Sequence, residues 1–302
     1  MLGRRMFLKL TIAGLSAAMA TAAYPFVEVF GKPKVTPYRL TPTNWPAGLQ
    51  LKIAVLADFH ACAPWMPPER IERICNQANA LDADIVLLLG DYMRGLHLMT
   101  QEVAPADWAK ALSILKAPLG VHAVLGNHDY WEDPRFQREG HGETVAEQAL
   151  KAVGISVLVN GALALRKDGR DFWLAGLGDQ QALRPTSRYQ RPEAVGIHDL
   201  PATLAAVTGD GPVILMAHEP DIFPEVDDRV CLTVSGHTHN GQVNLLGWRP
   251  VSASKGSARY PRGHFREDGR DLIVSGGLGC SVLPVRVGAW PEILLVELGD
   301  AA

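Results

Sequence analysis

The sequence predicts a layered α/β domain in which two packed β-sheets are flanked by helices. Apolar, β-branched runs alternate with helical stretches in the first half of the chain, whereas the second half carries more strands and fewer helices. Several strands also run directly into Asp, Asn or His. In such folds the loops at strand ends are where reactive groups gather.

Taken in order, residues 1–30 read as an address. Arg4 and Arg5 precede an alanine-rich apolar stretch over 10–24. The positive residues would stay on the cytoplasmic side while the apolar run enters the membrane. Arg4-Arg5 with the following Phe7-Leu8-Lys9 resembles the twin-arginine export motif, and Ala20-Thr21-Ala22 offers a cleavage site of small residues. An uncut N-terminal anchor is the alternative; the segment has no polar face to suit a helix of the folded domain. Residues 31–48, rich in proline, read as a linker, and the domain follows over 49–302. Strands are expected at 49–57, 85–89, 121–125, 155–165, 172–177, 213–217, 232–234, 272–275 and 293–298. Helices are expected at 68–81, 107–115 and 144–153, the first from Pro68-Glu69 with apolar residues at helical spacing.

A chain of 302 residues with 47% hydrophobic and 20% charged residues buries a large core without staples. A net charge of −3 speaks against a nucleic-acid binder. The four cysteines, Cys62, Cys75, Cys231 and Cys280, form no CxxC pair, so a thiol-rich zinc site is not expected, and a single disulfide stays open.

The chemistry lies in five polar clusters: Asp58-Phe59-His60, Gly90-Asp91, Gly126-Asn127-His128-Asp129, His218-Glu219 and Gly236-His237-Thr238-His239. In an extended strand, residues i and i+2 share a side, so Asp58 and His60 can face one ion together, and His237 with His239 has the same spacing. Carboxylate, imidazole and amide oxygen suit Mn²⁺, Fe²⁺ or Zn²⁺, and two such ions can grip a phosphate and generate the attacking hydroxide. Asp91, alone after its glycine, is the candidate to bridge them. Singly these motifs are weak; in order, each after a strand, they are specific.

This order of motifs resembles the calcineurin-like metallophosphoesterase superfamily, over nearly all of the chain after the leader. The resemblance implies a four-layer αββα sandwich of two mixed β-sheets flanked by helices, with a centre of two divalent metal ions. Asp58, His60, Asp91 and His239 would hold one ion, and Asp91, Asn127, His218 and His237 the other. His128 would protonate the leaving oxygen or stabilise the transition state, and Asp129 would orient it. The run Ser235-Gly236-His237-Thr238-His239-Asn240-Gly241-Gln242-Val243 is similar to an exported bacterial phosphodiesterase branch, as is Gly277-Leu278-Gly279-Cys280-Ser281. Asn240 and Cys280 depart from that branch's usual residues, which bears on substrate detail.

These readings imply a phosphate-ester substrate cleaved at the cell envelope, export by the twin-arginine machinery, proximity to a membrane and no nucleic-acid partner. Arg286 is a candidate contact for phosphate oxygens, with a structural salt bridge as the alternative. Rivals are a phosphomonoesterase or a nucleotide-sugar lipid pyrophosphatase on the same site, and a non-catalytic scaffold. A purple acid phosphatase-like site is set aside because Arg94 stands where its tyrosine ligand would be.

Overall fold

The structure, a computed structural model, describes residues 3–299. Its helices are α1 (Arg4–Val29), α2 (Pro68–Asn79), α3 (Pro105–Leu112), α4 (Asn127–Trp131), α5 (Pro134–Glu139), α6 (Val145–Ala152), α7 (Leu200–Ala205) and α8 (Lys255–Arg259). Its strands are β1 (Lys34–Leu40), β2 (Leu51–Leu56), β3 (Cys62–Ala63), β4 (Ile85–Leu88), β5 (Gln101–Glu102), β6 (Val121–Ala123) and β7 (Ser156–Val157). They continue with β8 (Gly161–Lys167), β9 (Arg170–Gly176), β10 (Val213–Met216), β11 (Val230–Ser235), β12 (Gly263–Glu267), β13 (Arg270–Val274) and β14 (Glu292–Leu298).

Two six-stranded mixed sheets result, ordered β1-β14-β2-β4-β6-β7 and β12-β13-β11-β10-β9-β8. In the first, β2, β4, β6 and β7 run parallel; in the second, β9, β10, β11 and β13 do. Strand alternation divides the side chains between layers. Leu51, Ile53 and Val55 of β2 meet Phe172, Leu174, Ile214, Met216 and Val234 between the sheets. Ala54 and Leu56 point the other way, against Ile71 and Ile74 of α2 and Trp108 and Leu112 of α3. On the far side, Val213 and Leu215 pack under Leu200 and Leu204 of α7. The four layers expected from the sequence are therefore present.

Three expectations need correction. Residues 31–48 are not an irregular linker, because β1 lies there and pairs in parallel with β14, Lys34 opposite Glu292 through Leu40 opposite Leu298. Its Pro37 lacks a donor, which is tolerated because β1 is an edge strand. The run 155–165 is not one strand. It turns at Asn160 (φ 50°), so that β7 ends the first sheet and β8 begins the second. Finally, the last turn of α1 belongs to the folded body. The buried Glu28 carboxylate accepts from the backbone N–H of Gly288 (3.0 Å) and Ala289 (3.1 Å), and Arg286 N–H donates to Pro25 O at 3.0 Å. The four cysteines are buried and free.

Candidate metal centre

β2, β4, β6, β10 and β11 all end at one rim of the sandwich, and each delivers one polar cluster there. The turns are tight. Gly126 has no room for a side chain: a Cβ would sit 2.4 Å from Asp91 Oδ1 and 2.6 Å from His218 Cε1. The pairs Asp58/His60 and His237/His239 lie beyond their strands, which corrects the pleat argument. Asp58 (φ 58°), His60 (49°), Asp91 (57°), His237 (66°) and His239 (48°) are all in the left-handed region. That conformation costs a non-glycine residue energy and is held only where the surroundings over-determine it.

Two groups of ligand atoms form. Asp58, His60, Asp91 and His239 make one; Asp91, His218 and His237 make the other, and within each the atoms lie within 4.8 Å of one another. Asp91 joins them through a single atom. Its Oδ2 lies 3.4 Å from His60 Nε2 and 3.4 Å from His218 Nε2. Asn127 Oδ1 lies 3.1 Å from His237 Nδ1, which brings it to the second group. His60 Nδ1 donates to Met93 O (3.1 Å) and His218 Nδ1 to Leu89 O (2.6 Å), so each ring points Nε2 inward. His60 Nε2 and His239 Nε2 face each other at 3.0 Å.

A family model described as calcineurin-like phosphoesterase matches residues 51–241. The chain belongs to that family. This phosphoesterase is 30% identical over 96% of its length to a transmembrane protein with a metallophosphoesterase domain from Danio rerio, of which it spans 63%. It is 28% identical to the metallophosphoesterase YkuE of Bacillus subtilis, covering 98% of both chains. It is also 29% identical to the phosphodiesterase YaeI of Escherichia coli, over 99% of this chain and 100% of that one. The phosphoesterase is a hydrolase of phosphoric esters.

Whether its residues suit two divalent ions is answered by what they leave unmet. Asp58 Oδ2 and His218 Nε2 are buried without a hydrogen-bond partner among the described residues. Buried polar atoms are normally satisfied, and a cation facing them would do so. Burial also pushes the Asp58 carboxyl up to about 7 and the His60 and His237 imidazoles down to about 3. His60 and His237 are thus already neutral and ready to ligate at ordinary pH, whereas Asp58 must release a proton, and so must His218, which the Asp91 carboxylate, against burial, holds well above the usual imidazole range. Metal affinity is therefore expected to rise with pH through neutrality and to fall on acidification by about tenfold per unit for each proton the ligands must release. Titration calorimetry in buffers of different ionisation enthalpy reads this as proton release; an affinity flat from pH 5 to 8 would refute it.

Two assigned roles change. Asp129 does not touch the His128 ring. Its carboxylate accepts four backbone N–H groups, from Gly126 (2.9 Å), Asp91 (2.8 Å), Tyr92 (2.8 Å) and Met93 (3.0 Å), and so pins the Asp91 loop. Each carboxylate oxygen accepts two of those N–H groups, so an amide at Asp129 would turn a donor toward two of them whichever way it lies. Asp129→Asn is expected to cost about 1–3 kcal/mol for each N–H left without an acceptor, seen as a lowered Tm. An unchanged Tm would contradict the pinning role. Arg286 is fully buried, and its guanidinium donates to the carbonyls of Gly276, Gly279 and Ala289. It lies 3.2 Å from His239 Nδ1, behind the ligand, so it is no phosphate contact, and among the described residues it forms no salt bridge.

His128 stands over the centre. Its backbone N–H donates to Asp91 Oδ1 at 2.9 Å, its ring meets His60 edge-on at 4.9 Å, and its Nε2 lies 3.3 Å from Ser281 Oγ. The sequence reading missed Asp179 and passed over Glu219, both buried beside His218. Burial raises both carboxyls, and Asp179 Oδ2 and Glu219 Oε1 have no hydrogen-bond partner among the described residues. A signal existed: Leu177-Gly178-Asp179 after β9 repeats Leu89-Gly90-Asp91 after β4. A cleft of about 580 Å³ opens above the centre, lined among others by His97, Trp131, Arg184, Val243 and Val285.

Proposed function

We propose that this phosphoesterase is a phosphodiesterase that works at the cell envelope, exported by the twin-arginine machinery and held there by α1. The observation that carries the catalytic part is the single carboxylate oxygen of Asp91, equidistant from His60 and His218 at the floor of the cleft. The diester reading is supported by likeness to YaeI, which is named a phosphodiesterase. Retention at a membrane is supported by the docked end of α1. A cut after Ala22 would remove the spanning part of α1 and leave only the docked turn, where the Tyr24 hydroxyl donates to Glu28, so retention requires α1 to stay uncut.

Two divalent ions, of Mn, Fe or Zn type, would supply Lewis acidity, drawing charge from the phosphoryl group and acidifying water. Asp58, His60 and His239 would hold one, Asn127, His218 and His237 would hold the other, and Asp91 would serve both. Asp91 does a second task through Oδ1, which fixes the backbone of His128 and so sets its ring above the cleft floor. His128 there delivers a proton to the departing oxygen. Arg184 replaces Arg286 as the substrate's cation, since its exposed guanidinium lines the cleft with no ion-pair partner among the described residues. Arg184→Ala is expected to raise KM several-fold with kcat little changed; an unaltered KM would remove it from the site.

The test is hydrolysis of bis-p-nitrophenyl phosphate against p-nitrophenyl phosphate by metal-stripped protein, with Mn²⁺, Fe²⁺ or Zn²⁺ added back. Metal-dependent preference for the diester is expected. Preference for the monoester would overturn the diester reading in favour of a phosphatase.

A further inference from the structure

Apart from α1 and the scattered Val35, Val145 and Val195, the phosphoesterase exposes a group of large apolar side chains on the side of the cleft mouth. Leu246 is wholly exposed and Trp248 is 63% exposed, on a loop that closes on itself through Leu245 and Trp248. Val251 stands near it, and Val282 and Leu283 project from the facing segment; all three also line the cleft. Contiguous exposed apolar groups mark an interaction surface, whereas scattered ones do not.

What covers this surface is indicated by its connection to α1. Asn244 N–H, at the root of the loop, donates to Val287 O (2.7 Å). The next two residues, Gly288 and Ala289, are the ones that hold Glu28, and Arg286 holds Pro25. The apolar loop and the docked end of α1 are therefore built on one short segment, 286–289. From that end α1 runs for 26 residues, long and apolar enough to cross a membrane, with none of its apolar window buried in the protein. The part ahead of the docked turn, Arg4 to Tyr24, spans ~32 Å at 1.5 Å per residue, against a hydrocarbon core of ~30 Å. A bilayer that takes α1 lies next to the loop that presents Leu246 and Trp248.

We infer that the cleft mouth rests on the bilayer, with Leu245, Leu246, Trp248, Val282 and Leu283 seated in its interface. The substrate is then an amphiphilic phosphodiester whose headgroup reaches the centre while its acyl chains remain in the lipid. Tryptophan and leucine on a loop tip suit an interface, where an apolar body is buried and the indole N–H stays hydrated. The apolar cleft walls at Leu96, Trp131, Val243 and Val285 continue that surface inward. This inference rests on α1 as a membrane anchor and on the diesterase reading.

The test uses the full chain in phosphatidylcholine vesicles with and without brominated acyl chains. Tryptophan emission is expected to be quenched by the brominated lipid, and Trp248→Phe to remove a distinct part of that quenching. If the chain stays in the vesicles but Trp248→Phe leaves the quenching unchanged, the surface does not meet lipid, while the anchor reading stands. Cross-linking of Trp248→Cys to a second copy, in place of quenching, also overturns the inference. If the chain does not stay in the vesicles, anchor and inference fail together. In a second arm, the p-nitrophenyl phosphodiester of diacylglycerol is presented in vesicles beside soluble bis-p-nitrophenyl phosphate. The double variant Leu246→Ser, Trp248→Ser is expected to slow the lipid substrate by about tenfold or more and leave the soluble one unchanged. Equal rates on the lipid substrate would refute the substrate class. Absence of cleavage of either diester would instead sink the diesterase reading, and the substrate class with it, while the quenching arm still decides the surface.

Discussion

Asp91→Asn is expected to remove bound metal and activity together. The carboxylate faces both ligand groups through one oxygen, with 3.4 Å to His60 Nε2 and 3.4 Å to His218 Nε2. The neighbouring imidazoles, His218 foremost, outweigh burial and hold its carboxyl well below the usual range, so it is charged in the folded protein. An amide keeps the shape but loses that charge. Whichever way it turns, its NH₂ must face either the ligand cluster or the N–H of His128, which Oδ1 now accepts. The loss in kcat/KM should be on the order of 10³-fold or more, beyond that of a single oxyanion-hole donor, because both ions lose a ligand. Metal analysis of the purified variant should return fewer than two ions per chain. A variant with two ions bound and near-normal turnover would show that Asp91 does not bridge.

His128→Ala separates the roles in the opposite sense. The ring is not among the clustered ligand atoms, so metal content should be kept. Turnover should fall by about 10²–10⁴-fold, as for a lost general acid. The loss should also depend on the leaving group: small for p-nitrophenol, which departs without help, and large for an alkyl alcohol. A uniform loss across leaving groups would mean that His128 stabilises charge on the phosphoryl group and does not deliver the proton. Loss of metal would mean that it supports the ligands.

Much of the centre was legible because each ligand cluster interrupts an apolar strand. Val-Leu followed by Gly-Asn-His-Asp has no packing explanation, and neither has Val-Ser followed by Gly-His-Thr-His. What could not be read depends on contacts distant in sequence. Asp129 sits next to His128, which invites the thought that it orients that ring, yet its four donors come from residues 91–93 and 126. Arg286 reads as an anion binder until the carbonyls of Gly276, Gly279 and Ala289 are seen to occupy it. β1 was hidden by Pro37, since local pattern does not reveal that a strand will lie at an edge and pair with residues at the other end of the chain. The 155–165 run looked continuous because both halves are apolar, and only the change of sheet at Asn160 divides them.

The left-handed ligands bear on how such a protein can be engineered. At Asp58, His60, Asp91, His237 and His239 the backbone adopts a shape that glycine tolerates freely and that costs other residues about 1–2 kcal/mol. Glycine at any of them would relax the chain and abolish a ligand in one step. A library ranked by heat resistance alone, in chelator, would therefore reward the erosion of its own centre. Ranked with metal present, the same library is pulled back, because bound ions repay the strain through linkage. For this fold the ion in the screening buffer decides whether selection for robustness preserves the enzyme or dismantles it.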